Sequence, residues 1–152
     1  MAAPLLVSTT PSNNGVISPA DNITLTFSED VFILPESTLT IHPVTGGVFE
    51  TITLKDSDGN LSVGSDGSVN VTGDMTPVIT INPNNDFNDG ISYFINISPG
   101  AFIDSEGDSF TGISDDTTLN FTATSDNTEP TLVSSEASEA GIVLNFSENV
   151  YA

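Results

Sequence analysis

Ile23-Thr24-Leu25-Thr26-Phe27-Ser28-Glu29-Asp30-Val31 is the stretch whose reading decides the fold. Ile23, Leu25 and Phe27 alternate with Thr24 and Thr26. That period of two puts one face of an extended chain in a core and the other in water. Nearly the same wording returns as Gly141-Ile142-Val143-Leu144-Asn145-Phe146-Ser147-Glu148-Asn149-Val150. Each copy follows a second extended run, Pro4-Leu5-Leu6-Val7-Ser8 in the first case and Pro130-Thr131-Leu132-Val133-Ser134 in the other. Phe27 and Phe146 lie 119 positions apart, Pro4 and Pro130 126. Self-similarity at about one domain length is the signature of an array. The expected organisation is one module over 1–125, a linker over 126–130, and the truncated start of a next repeat over 131–152.

Working outward, the same alternation recurs at Leu39 and Ile41, Ile52 and Leu54, Tyr93, Ile95 and Ile97, and Leu119, Phe121 and Ala123. Thr, Val, Ile and Phe dominate these runs, which read as half-buried antiparallel strands. No window sustains a helical period; one short helical turn is expected near Pro99–Phe102. The breaks are turn dipeptides: Asp58-Gly59, Asp66-Gly67, Asp89-Gly90 and Gly46-Gly47. Strands are predicted at 5–8, 22–28, 38–42, 48–54, 68–72, 77–82, 91–97 and 117–124, then 131–134 and 141–147. The fold class is all-β, an antiparallel β-sandwich of seven or eight strands. The run Thr124-Ser125-Asp126-Asn127-Thr128-Glu129-Pro130 reads as the linker. Residues 131–147 cannot bury their apolar side chains as an isolated hairpin. They are expected to be disordered or to exchange strands with another copy.

Charge excludes several classes of function. Lys55 is the sole basic residue against 21 carboxylates, for a formal net charge of −20. Nucleic acid requires Lys or Arg at its phosphates, and anionic membrane surfaces require the same charge. There is no cysteine, hence neither a disulfide nor a thiolate metal site. No run approaches the roughly 18 apolar residues of a membrane helix. Met1-Ala2-Ala3-Pro4 does not read as a signal peptide.

The run Ser18-Pro19-Ala20-Asp21-Asn22-Ile23-Thr24-Leu25-Thr26-Phe27-Ser28-Glu29 resembles the opening of bacterial Ig-like domains of the "SPADG…ITLTFSEPV" type. Their closing pattern is matched by Tyr93-Phe94-Ile95-Asn96-Ile97, by Gly100 to Asp108, and by Asn120-Phe121-Thr122. Asp126-Asn127-Thr128-Glu129-Pro130 is similar to the "D-x-T-x-P" joint between such repeats. Residues 43–80 are longer than the pattern. The resemblance implies a structural or adhesive repeat of a large extracellular or cell-surface protein, with neighbouring repeats as its partners and no catalytic residues.

The acidic loops raise calcium as a possible cofactor, because hard cations take six to eight oxygens. Three loops are candidates: Asp104-Ser105-Glu106-Gly107-Asp108, Asp56-Ser57-Asp58-Gly59-Asn60 and Asn84 to Asp89. Each also reads as an Asx-turn, in which Asp or Asn bonds the nearby backbone, the second and third loops more so than the first. In a seven-strand sandwich Glu29 and Asp30 follow the second strand, and Asp104, Glu106 and Asp108 precede the last. All five are expected to converge at one pole, with Asp126 and Asn127 of the linker serving Glu148 in the next unit. Bound Ca²⁺ there would stiffen the array.

Catalysis finds no foothold. His42 is the only histidine, and it sits on the solvent side of a strand. No nucleophile elbow, P-loop or dinucleotide fingerprint appears. The alternative to a structural role is a glycan- or protein-binding module that uses loops or the 43–80 insert. Tyr93, Tyr151, Phe32 and Phe49 would then line a shallow site.

Overall fold

A computed structural model describes residues 2–64, 70–126 and 129–150. Among the described residues twelve strands follow in chain order. They are β1 (Leu6–Thr10), β2 (Gly15–Ile17), β3 (Ile23–Ile33), β4 (Thr38–Pro43), β5 (Glu50–Thr53) and β6 (Val71–Thr72). Then come β7 (Thr76–Ile81), β8 (Ser92–Ile97), β9 (Phe102–Ile103), β10 (Asn120–Ala123), β11 (Leu132–Ser138) and β12 (Gly141–Phe146). One sheet has the order β1-β3-β7-β6, with β9 added on the far end of β3. The other has the order β2-β10-β8-β4-β5. β11 and β12 form a third sheet of their own.

The alternating residues meet between the first two sheets. Ile23, Leu25, Val31, Leu39, Ile41 and Ile95 are fully buried. Burying each such side chain is worth about 1.5–3 kcal/mol, which the surface Thr residues on the opposite faces do not oppose. Aromatic rings fill the two ends of the core. Phe27 lies 4.8 Å from Phe102 and 5.4 Å from Phe110 between ring centroids. At the other end Phe87 contacts Phe49, Tyr93 and Phe121 at 5.0–5.5 Å. Apart from the stacked Phe49–Phe87 pair these contacts are edge or tilted, arrangements that suit the ring quadrupoles.

The structure departs from the expected elements in several places. β2 and β9 were not anticipated. Residues 98–101 form a turn, closed by Ala101 N–H on the Ser98 carbonyl at 3.1 Å, rather than a helical turn. β3 does not end at Ser28 but runs on through Glu29 and Asp30 to Ile33. Its pairing with β7 passes from Thr26–Val78 to Val31–Thr76, so four residues of β3 oppose Pro77 alone. Proline cannot donate to a ladder, and the β3 chain bulges where that donor is missing. The expected strand 68–72 appears as β6 from Val71; residues 68 and 69, and the Asp66-Gly67 turn, lie outside the described residues.

Candidate functional site

Two of the three acidic loops, 56–60 and 104–108, share one repeated device. Asp104 Oδ1 accepts the amides of Glu106 at 2.8 Å and Asp108 at 2.9 Å. Asp56 Oδ1 accepts those of Asp58 at 3.0 Å and Asn60 at 2.7 Å. The Asp104 amide donates to the Asp108 carbonyl at 3.0 Å, and the Asp56 amide to the Asn60 carbonyl at 2.8 Å. Gly107 and Gly59 take φ of +91° and +86°, a region glycine enters without penalty. The loops are flanked by the bridged pairs Ile103–Ser109 and Lys55–Leu61. Asp-Ser-Asp/Glu-Gly-Asn/Asp is therefore a five-residue hairpin turn pinned by its leading aspartate. The Asn60 backbone amide, first among its donors, holds the Asp56 carboxyl below the ordinary range.

Other carboxylates do similar work. Glu50 is 8% exposed and receives the Asn84 amide at 2.9 Å and the Asn84 side-chain amide at 2.6 Å. Through it β5 holds the loop that follows β7. Asp115 takes the amides of Thr117 at 2.9 Å and Thr118 at 2.7 Å, together with both hydroxyls. The Thr117 amide leads the donors that lower its carboxyl to about 2. Asp89 accepts the Ser125 amide and ties the segment that leads into the linker to the sandwich. Lys55 Nζ lies 2.7 Å from Asp74 Oδ2, while Asp74 Oδ1 accepts the Ile33 amide. The one basic side chain is thus spent inside the molecule.

The five residues expected at one pole are not gathered as ligands. Glu29 and Asp30 stand in the β3 bulge rather than after a strand end. Asp104 is 3% exposed and aims Oδ1 at its own turn; its Oδ2 is buried without a hydrogen-bond partner. Glu106 is exposed and Asp108 half-buried on that turn. Asp126 is exposed in the linker, and Asn127 lies outside the described residues. Glu148 is half-buried just beyond β12. Among the described residues no three His, Cys, Asp or Glu side chains are placed to hold a metal ion.

The aromatic side chains named for a ligand surface do other things. Tyr93 is fully buried, and its hydroxyl accepts the Asn88 amide at 2.9 Å. Phe49 packs against the core beside Phe87 and Tyr93. Phe32 is half-buried on β3, and Tyr151 lies outside the described residues. His42 stacks on Phe94, its cross-strand neighbour, at 4.8 Å and 10° between planes. Its Nδ1 is 2.9 Å from the Gly47 carbonyl. Period-two reading gives its face, but the stack needs the β4–β8 register.

The most specific geometry lies in β11 and β12. β1 pairs with β3 through Leu6–Phe27, Ser8–Thr26, Thr9–Leu25 and Thr10–Thr24, with a register shift between Leu6 and Ser8. β11 pairs with β12 through Leu132–Phe146, Ser134–Asn145, Ser135–Leu144 and Glu136–Val143, with the same shift between Leu132 and Ser134. The closing bonds match as well. Ser28 Oγ accepts the Leu5 amide at 3.0 Å, and the Ser28 amide donates to the Leu5 carbonyl at 2.9 Å. Ser147 and Thr131 repeat both bonds at 3.0 and 2.9 Å. The pairs differ in surroundings: every residue of β11 and β12 is exposed, including Leu132, Ile142, Leu144 and Phe146.

Comparison with known proteins fits this geometry. A family model described as bacterial Ig-like domain matches residues 1–123, the span of the two packed sheets. No curated protein matches the chain. Among solved structures, CopC from Methylosinus trichosporium OB3b is similar at 14% identity and a TM-score of 0.49, covering 83% of this chain and 98% of that one. A likeness at that level carries no argument about function.

Proposed function

We propose a function from one premise: the chain belongs to the bacterial Ig-like domain family. Residues 1–125 are a non-catalytic structural module of a bacterial surface or secreted protein, and residues 131–150 are the leading strand pair of a second unit of the same kind. The observation that carries this is the duplicated ladder, with its register, its bulge and its serine closure. A hairpin that formed for its own sake would have no reason to place a bulge at Val133 where the first copy has one at Val7. Its apolar face also matches the face that β3 buries in module one, so it is patterned for a sandwich. The work of such a unit is to hold distance between the parts on either side. Its charge suits that work, because like-charged beads repel and stay soluble. A glycan platform has no support, since Tyr93 and Phe49 are committed to the core.

Val150 aligns with Val31, so residues 32–123 can be joined directly after Val150 to complete the second unit. Small-angle scattering on that grafted chain should show an elongated two-bead particle with a maximum dimension near double that of residues 1–125. A particle with one bead and an unfolded tail would reject the reading.

A further inference from the structure

The path of the chain through its two sheets points to resistance to tension, a property that rests on the spacer reading above. The chain enters beside β3, where Leu6 faces Phe27, and β1 runs toward the end at which β3 begins. Residues 11–14 then cross to the other sheet. There β2 lies parallel to β10, through Gly15–Phe121, Val16–Thr122 and Ile17–Ala123. Two backbone bonds close the ends of this short ladder. The Asn14 amide donates to the Asn120 carbonyl at 2.8 Å, and the Thr124 amide to the Ile17 carbonyl at 2.9 Å. Asn13 extends it by side chain: Oδ1 accepts the Asn120 amide at 3.0 Å and Nδ2 donates to the Thr117 carbonyl at 2.9 Å. β10 then passes straight into the linker.

The incoming and outgoing strands are thus neighbours, and they point the same way. Tension between the two ends of the module pulls β2 backward along its own axis and β10 forward along its own. Every bond between them is loaded together and must yield together. β1 is pulled lengthwise along β3 in the same sense. A terminal pair pulled apart from one shared end would instead open one bond at a time. We infer that the β2–β10 pair, clasped by Asn13, is a load-bearing lock against extension along the axis of the array.

The second copy has no counterpart of this lock. Its strands are offset by 126 and 119 positions from the first copy, so their connection is seven residues shorter. β11 turns straight into β12 at Ser138–Gly141. The lock belongs to residues 1–125 and is not a feature of the repeat pattern itself.

The chain has no cysteine, so thiol handles can be placed at will for single-molecule pulling on the full chain. Handles at Ala2 and Glu129 apply axial load; handles at Ser12 and Asp116 peel β2 from β10 at their shared leading end. At one loading rate the axial rupture force should be at least about twice the peeling force, since forced rupture follows the unfolding barrier along the pulled direction. Asn13→Ala should lower the axial force while leaving the melting midpoint in place. Equal forces in the two geometries would overturn the lock, and an unchanged axial force in Asn13→Ala would remove the clasp from it. Neither result depends on whether a second unit folds, which the grafted chain tests separately.

Discussion

Phe27 and Phe146 stand on the same rung of the same ladder, opposite Leu6 and Leu132, yet Phe27 is 3% exposed and Phe146 37%. Local pairing is identical; what differs is whether a second sheet lies over the ring. The two phenylalanines therefore separate what the strand pair does alone from what the sandwich adds.

Phe27→Ala removes a ring that packs on Phe102 and Phe110. It should destabilise the module by about 3–5 kcal/mol. Phe146→Ala should leave the unfolding of the same module unchanged, because β12 shares no strand pairing with it. Denaturant titration of both variants reads this directly. A large loss from Phe146→Ala would tie the hairpin to the first core.

Asp104 pins its turn through Oδ1, so Asp104→Ala should cost about 1–3 kcal/mol by leaving the Glu106 and Asp108 amides unpaired. Asp104→Asn keeps the accepting oxygen and should cost less. Calcium and magnesium should raise the melting midpoint equally at matched ionic strength, through screening of the −20 charge. A rise specific to calcium and lost in Asp104→Asn would instead install an ion at Oδ2.

Asp115 has its carboxyl lowered from 3.8 to about 2 by donors that favour the charged form. A depressed folded value means the contribution is complete above pH 3.8 and is lost as pH falls through about 2. Stability of the wild type relative to Asp115→Ala should be constant near neutrality and shrink across that window. A difference that grows toward low pH would contradict the assignment.

Gly73 takes φ of +103°, and a Cβ there would stand 2.0 Å from the Val78 carbonyl oxygen. Backbone strain and overlap act together at this turn between β6 and β7. Gly73→Ala should lower stability by about 2 kcal/mol or more, read by thermal unfolding. A neutral result would mean the turn between β6 and β7 relaxes more freely than its close approach to Val78 suggests.

Much of this was legible in the sequence. Alternation at Ile23–Phe27 and Tyr93–Ile97 located the core faces, because burial on one side imposes the period. The F-S-E-x-V echo anticipated that Phe27 and Phe146 would occupy like positions. β2 was not legible: Gly15-Val16-Ile17 is too short to show a period, and its partner β10 is more than a hundred residues away. The passage of β3 through Ser28-Glu29-Asp30 was hidden because polar residues in a bulge look like a strand end. The acidic loops were ambiguous for a different reason. The same pentapeptide serves a hairpin turn or a cation loop, and only the convergence of further ligands, a tertiary matter, tells them apart.

The central claim is that residues 131–150 are patterned for a sandwich of their own. Amide hydrogen exchange tests it most directly, in this chain and in the chain with residues 32–123 grafted after Val150. The account predicts that the amides of Ile142, Leu144 and Phe146 exchange within a small factor of unfolded rates in the first. In the second they should gain protection comparable to Ile23, Leu25 and Phe27. Equal, weak protection in both chains would contradict it.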